Sequence, residues 1–192
     1  MQKKEIRKKV LSQRNSLLES DISKKSDSIT KNLFSLHFID EAKTVMVYSH
    51  FGSEPETKQI IDKLLHAGKK VVLPATLIEQ KEILALYIDS DTRLLENRYG
   101  IMEPLPTEEK TAKPEEIDVV IIPGVAFDEK GNRIGFGHMY YDKFLSDFKP
   151  RTMKIALAFE LQIIEPFKAE SHDIPVDLIV TEERIIECKA HA

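Results

Sequence analysis

The sequence predicts one α/β domain over residues 1–192, an open, largely parallel twisted sheet flanked by helices in Rossmann-like layers. Three observations predict it. Short apolar runs rich in Val, Ile and Leu recur along the chain, each of strand length. Segments with helical spacing of apolar residues separate several of them, as parallel crossovers require. One run, DVVIIP, flows into a glycine-rich loop and then a helix, the arrangement that carries anionic ligands in such sheets.

Taken in order, Ile6, Val10, Leu11, Leu17 and Leu18 recur at near-helical spacing through a charged segment, so residues 3–19 are predicted as an amphipathic helix. Ile22, Ile29 and Leu33 give a second helix over residues 21–36, with Ser20 or Asp21 as its cap. TVMVYS (44–49) is the first strand. PETKQIIDKLLHAG (55–68) is a helix closed by Gly68 just past its end, and KVVLP (70–74) completes a βαβ unit. ILALYI (83–88) is the next strand. From Asp89 to Ile117 the chain carries Pro104, Pro106 and Pro114 and little periodicity, which reads as an extended surface connection, with a lid over the site as the alternative. DVVIIP (118–123), a helix over residues 140–147, KIALAF (154–159) and DLIVT (177–181) complete the alternation.

A chain of 192 residues with 42% hydrophobic content can bury a core without disulfides or metal. Cys188 is the single cysteine, so there is no disulfide framework and no cysteine-based zinc site. The remaining histidines, His37, His50, His66, His172 and His191, lack metal-ligand spacing. The formal charge of -4 argues against a general nucleic-acid or membrane-surface role, although a local basic cluster can still hold a polyphosphate. The N-terminal MQKKEIRKKVLSQR is too charged for a signal peptide, and no apolar run approaches the ~18 residues that span a bilayer. A cytoplasmic monomer is expected.

Ligands of open α/β sheets sit beyond the carboxyl ends of the strands. There the segment HFGSEPET carries Glu54 and Glu56, and the loop after DVVIIP carries Asp128, Lys130, Arg133, His138 and Asp142, so both can converge on one crevice. Four of the seven glycines fall between Gly124 and Gly137. The loop has neither the GxxxxGK[ST] of a P-loop nor the third glycine of a dinucleotide fingerprint, so on its own it is a phosphate cradle or a tight structural turn. Asp142, just past Tyr140 and Tyr141, is the residue type that ligates the Mg²⁺ of a nucleotide. As an exposed loop acid it should tolerate replacement by Asn without loss of the fold.

The segment PGVAFDEKGNRIGFGHMYYDKFL resembles the signature of the 5-formyltetrahydrofolate cyclo-ligases, also called 5,10-methenyltetrahydrofolate synthetases. The resemblance runs from about Lys3 to Glu183. It is supported by Lys3 and Arg7, the SEPET loop, AFELQ, and HDIPVDLIVTEER. It implies a ligase of one-carbon metabolism that uses ATP and Mg²⁺ to convert 5-formyltetrahydrofolate, mono- or polyglutamylated, to 5,10-methenyltetrahydrofolate with release of ADP and phosphate.

Carried over residue by residue, the resemblance implies that Lys3, Lys4 and Arg7 reach the ATP phosphates together with the loop Arg133, Ile134, Gly135, Phe136, Gly137, His138, Met139, Tyr140 and Tyr141. It implies folate contacts from Ser49, Phe51 and Glu54 and from Phe136, Gly137, His138, Met139 and Tyr140 in the middle of the loop. Glu54 would accept hydrogen bonds from the pterin ring, whereas Glu56 reads as a helix-start acid. Arg133, Tyr140 and Asp142 are implied as catalytic, and Asp142 and Asp173 as Mg²⁺ ligands. Away from the family, Lys3 and Arg7 are surface cations, Asp173 is a turn residue, and Phe51 is core or a stacking ring.

The chain departs from the family pattern at three places. Met139 stands where a small residue, most often glycine, is usual; His138 stands where glycine, lysine or another small or polar residue is common; Lys143 replaces a frequent arginine and loses its bidentate geometry. Met139 therefore leaves open a nucleotide-binding regulatory module on the same fold without folate turnover. A sugar-phosphate isomerase on a similar sheet, needing no ATP, is a third reading.

Overall fold

The structure, a computed structural model, describes residues 2–137, 140–148 and 151–188. Helix α1 (Lys3–Asn15) ends four residues before the predicted boundary, where the Ser16 side chain turns back on the last helical turn and Asn15 reaches a distant segment. Ser16 Oγ donates to the Gln13 carbonyl and Asn15 Oδ1 accepts from Ser53. Helix α2 (Glu19–Leu33) follows at once, and its cap is Leu18, not Ser20 or Asp21: the Leu18 carbonyl takes the N–H groups of Asp21 and Ile22. A short helix that the sequence did not signal, α3 (His37–Glu41), buries Ile39 and leads to β1 (Thr44–Met46).

Helix α4 (Lys58–His66) crosses from β1 to the parallel strand β2 (Lys70–Leu77). Gly68 follows its cap at φ +72°, with its N–H on the Leu65 carbonyl, so the expected glycine stop is present. Strand β3 (Glu82–Ile88) then pairs antiparallel with β2. Next come β4 (Leu94–Glu96), β5 (Met102–Pro104), β6 (Val119–Ile122), β7 (Ala126–Asp128) and β8 (Arg133–Ile134). Helix α5 (Tyr140–Leu145), β9 (Met153–Leu157), β10 (Ile163–Ile164), β11 (Leu178–Val180) and β12 (Ile185–Glu187) complete the chain.

Seven strands form the main sheet in the order β12-β11-β9-β6-β1-β2-β3. The five central strands are parallel and the two edges, β3 and β12, antiparallel. The parallel strands read as continuous apolar runs because both faces are covered. Leu33, Ile39 and Leu64 from α2, α3 and α4 pack on one face with Val45 and Ile121. Phe127 and Phe144, from β7 and α5, pack on the other with Val72 and Ile122.

A small sheet, β10-β7-β8, stands beside the main one. Ile6 and Val10 of α1 are buried against Val125, Ala126 and Ile134, and each such side chain contributes about 1.5–3 kcal/mol of burial. This seam brings the first turns of α1 beside the loop that leaves β8.

Candidate active site

Strand β1 is followed by β2 on one side, while β6 and then β9 lie on the other, so the strand order reverses between β1 and β6. A reversal of this kind leaves a crevice past the carboxyl ends of the strands. A cleft of about 590 Å³ opens there, with Tyr48 and Ser49 past β1, Pro74 and Thr76 in β2, and Pro123 past β6.

One end of the cleft is cationic. Helix α1 presents Lys3, Lys4 and Arg7 to it, and β8 and the following loop present Arg133, Ile134, Gly135, Phe136 and Gly137. Arg7 Nε donates to the Gly135 carbonyl at 2.8 Å and ties helix to loop. Gly137 sits at φ +101°, and a Cβ there would lie 3.5 Å from Arg7 Nη2. A Cβ at Gly135 would lie 3.1 Å from Arg133 Nη1. Glycine at both positions keeps backbone and guanidinium groups accessible together, a donor set that suits phosphate oxygens.

Carboxylates interleave with these cations. Arg133 Nη2 lies 2.7 Å from Asp142 Oδ1, with the two side chains only 4% and 17% exposed. Asp142 is therefore a largely enclosed partner of a buried arginine, not the exposed loop acid expected from its position. Lys3 Nζ lies 2.6 Å from Asp173 Oδ2 and 3.5 Å from Glu170 Oε1, and His172 Nε2 lies 3.2 Å from Glu170 Oε2. Burial pushes the Asp173 carboxyl up, but the Lys3 ammonium and the Glu170 N–H outweigh it and hold it below the ordinary aspartate value. Ligand atoms of Glu170, His172 and Asp173 lie within 4.8 Å of one another. Asp142 stands outside that cluster but touches the same segment, since the Ile174 N–H points to its Oδ1 at 3.5 Å. Acidic oxygens beside a cationic pocket suit Mg²⁺ bound to a polyphosphate.

The other end is aromatic, with the buried acids Glu54 and Glu103. Glu54 is 5% exposed, and Oε2 accepts the Phe51 N–H at 3.0 Å. Burial pushes its carboxyl up to about 7, against the opposing charge of Arg14 and the Phe51 N–H. Phe51 and Phe136 remain largely exposed, which settles Phe51 as a surface ring rather than core. Burial likewise raises the Tyr48 and Tyr141 phenols well above the ordinary tyrosine value.

The segment after β3 is not the extended connection the sequence suggested. Its strands β4 and β5 form an antiparallel hairpin, closed by Asn97, whose Oδ1 accepts the N–H groups of Tyr99 and Ile101. Gly100 turns at φ +84°, and a Cβ there would come within 2.8 Å of the Phe51 ring. Glu103 anchors the hairpin to β2 by accepting the Thr76 N–H at 2.9 Å and hydroxyl at 2.6 Å. Tyr99, Ile101 and Glu103 thereby line the cleft, and the hydroxyls of Tyr99 and Tyr140 interact at its mouth.

Lys3, Lys4, Arg7, Ser49, Phe51, Glu54, Arg133, Ile134, Gly135, Phe136, Gly137, Tyr140, Tyr141, Asp142 and Asp173 all line this cleft. His138 and Met139 lie outside the described residues. Asp128 does not converge on it: fully buried, it accepts the N–H groups of Lys130, Asn132 and Phe167 and closes the turn between β7 and β8. Glu56 and Lys130 also stand apart from it. Tyr48, Tyr99, Glu103, Glu170 and His172 were not foreseen. The Asn97–Gly100 turn between LLE and IME was the signal for the hairpin, and the neighbours of Asp173 for the last two. Among the described residues, no helix is long and apolar enough to cross a membrane.

A sequence profile of the 5-formyltetrahydrofolate cyclo-ligase family matches residues 1–182. A 5-formyltetrahydrofolate cyclo-ligase of Haemophilus influenzae is 33% identical over 156 residues, spanning 80% of this chain and 83% of that protein. The NMR structure of 5,10-methenyltetrahydrofolate synthetase from Aquifex aeolicus superposes with a TM-score of 0.86 at 34% identity, covering 100% of this chain and 95% of that one. A 5,10-methenyltetrahydrofolate synthetase from Mycoplasma pneumoniae superposes with a TM-score of 0.75 at 26% identity, covering 95% of this chain and 99% of the other.

Proposed function

The chain belongs to the 5-formyltetrahydrofolate cyclo-ligase family, and from that premise we propose that it closes the ring of 5-formyltetrahydrofolate to 5,10-methenyltetrahydrofolate at the expense of ATP, with Mg²⁺. The observation that carries this reading is the joining of two unlike ends in one cleft: a cationic glycine loop with carboxylates, and an aromatic wall that holds the buried Glu54.

The formyl group on N5 is an amide, so its carbon is a poor electrophile and its oxygen a poor leaving group. When the formyl oxygen accepts the γ-phosphoryl group, N10 can attack the carbon. The C–O bond then breaks, N10 loses its proton, and the oxygen departs with inorganic phosphate. The work of the protein is alignment and charge stabilisation. Lys3, Lys4, Arg7 and Arg133 would neutralise phosphate oxygens, and Gly135 and Gly137 would let the backbone of Ile134, Phe136 and Tyr141 approach them. Asp142 and Asp173 would hold Mg²⁺, which supplies neutralising charge to the phosphates when bound.

Ser49, Phe51, Glu54, Phe136 and Tyr140 would receive the folate. Glu54 suits the pterin, whose ring N–H and amino groups are donors seeking a fixed carboxylate. Arg133 and Tyr140, which line the cleft, would face the transferring group.

The reading is tested by mixing protein, Mg²⁺, ATP and 5-formyltetrahydrofolate and following the near-UV absorbance of the methenyl product. An ATP-dependent rise is expected; absence of any rise with folded protein would overturn it.

A further inference from the structure

Arg14, in the last turn of α1, is only 2% exposed. Burial pulls it below the ordinary arginine value while Glu54 and Tyr48 push it back, and a guanidinium keeps its charge in such a setting. Its contacts join α1 to the distant Ser53 and to the stretch from Gly124 to Phe136. Nε donates to Ser53 Oγ at 3.0 Å, Nη1 donates to the Gly124 carbonyl at 3.2 Å, and the guanidinium carbon lies 5.7 Å from the centre of the Phe136 ring.

Each of these contacts bears on the folate end. Ser53 adjoins Glu54, Gly124 follows Pro123 of the cleft wall, and Phe136 is one of its exposed rings. Arg14 is not itself part of the cleft surface; it stands behind it. A planar fork can bond the hydroxyl and the carbonyl while presenting a cation to an aromatic ring, which a lysine cannot reproduce from one point charge.

We propose that Arg14 is a positioning residue for folate, holding the Glu54 loop, the Gly124 turn and the Phe136 ring in one register and supplying the positive charge that offsets burial of the Glu54 carboxylate. The groups facing Glu54 are Arg14 from α1, Tyr48 past β1, Tyr141 from α5 and the Phe51 N–H from its own loop. Arg14 is the cation among them. With both phenols held neutral by burial, its removal leaves the Phe51 N–H as the remaining opposition to desolvation.

The inference rests on the reaction proposed above. Its test compares wild-type, Arg14→Met and Arg14→Lys proteins by KM for folate and for ATP across about pH 6 to 9, and by carboxyl NMR of Glu54. Arg14→Met is expected to raise the folate KM about tenfold, leave the ATP KM within about twofold, and move the Glu54 midpoint up by about one unit. Arg14→Lys should restore the midpoint yet recover only part of the folate KM. An unchanged midpoint in Arg14→Met, or an equal rise in both KM values, overturns the proposal. Should Arg14→Met fail to fold, Arg14→Lys decides: a raised folate KM at the wild-type midpoint supports the proposal, and a normal one overturns it. Wild-type protein that turns over no folate defeats the functional reading and this inference together; active wild type with an Arg14→Met variant like it defeats this inference alone.

Discussion

Arg133 Nη2 and Asp142 Oδ1 meet at 2.7 Å in a largely enclosed ion pair, which makes Asp142 a structural partner as well as a metal-ligand candidate. Breaking an enclosed pair leaves a buried charge without its counterpart. Asn at position 142 keeps an acceptor but loses the charge, so Asp142→Asn is expected to lower stability by about 1–3 kcal/mol and to remove Mg²⁺-dependent turnover. Denaturant unfolding without ligands, set beside activity against Mg²⁺ concentration, checks both. Wild-type stability would contradict the structural half, and wild-type turnover would remove Asp142 from the metal site.

Glu54 has a folded value of about 7 against 4.5 when unperturbed, with burial as the main cause. Between those values the folded state binds more protons than the unfolded one, so stability falls as pH rises through that window. The loss reaches about 3 kcal/mol at its upper bound. Glu54→Gln should flatten that slope in unfolding curves taken across the window. Folate binding should move oppositely: the wild-type KM falls as pH rises through about 7, when the carboxylate forms. A slope that persists in Glu54→Gln would assign the titration to another group.

Lys3 holds Asp173 below its unperturbed value of 3.8, net of the opposing effect of burial. That contribution is present above the unfolded value and is lost as pH falls through the lower, folded one. Lys3→Met should therefore shift the acid limb of the unfolding curve to higher pH and raise the ATP KM about tenfold, with little change in the folate KM. An equal change in both KM values would place Lys3 outside the phosphate end.

Glu103 fastens the β4–β5 hairpin to Thr76 through two hydrogen bonds. Glu103→Ala should speed amide hydrogen exchange in residues 94–104, cost about 1–3 kcal/mol, and raise the folate KM while sparing that for ATP. Unchanged exchange in the hairpin would show that other contacts hold it.

Periodicity carried the parallel core because Val45, Ile121 and Ile155 sit in runs buried on both faces, where composition and position coincide. The cationic end was legible for a related reason: Lys3 and Arg7 share a helix face, and Gly135 and Gly137 are separated in the chain by Phe136 alone. The edge strand β3 gave no sign of its direction, since one apolar run suits either orientation. The hairpin was hidden by its prolines and by tertiary bonds such as Thr76 to Glu103, which span 27 residues. Nothing in the sequence sets Arg14 apart from a solvated helix cation; Ser53, Gly124 and the Phe136 ring gather around it in the fold. Asp128 looked like a ligand-facing acid because sequence does not tell which loop carboxylates turn inward to cap their own backbone.

The most direct measurement of the central proposal, that one cleft brings a phosphoryl group to the formyl oxygen, follows that oxygen itself. 5-Formyltetrahydrofolate carrying a heavy oxygen isotope in its formyl group is turned over with ATP and Mg²⁺, and the inorganic phosphate is examined by mass spectrometry. The account predicts one labelled oxygen in each phosphate, formed in step with the methenyl product; unlabelled phosphate, with the isotope released to water, would contradict it.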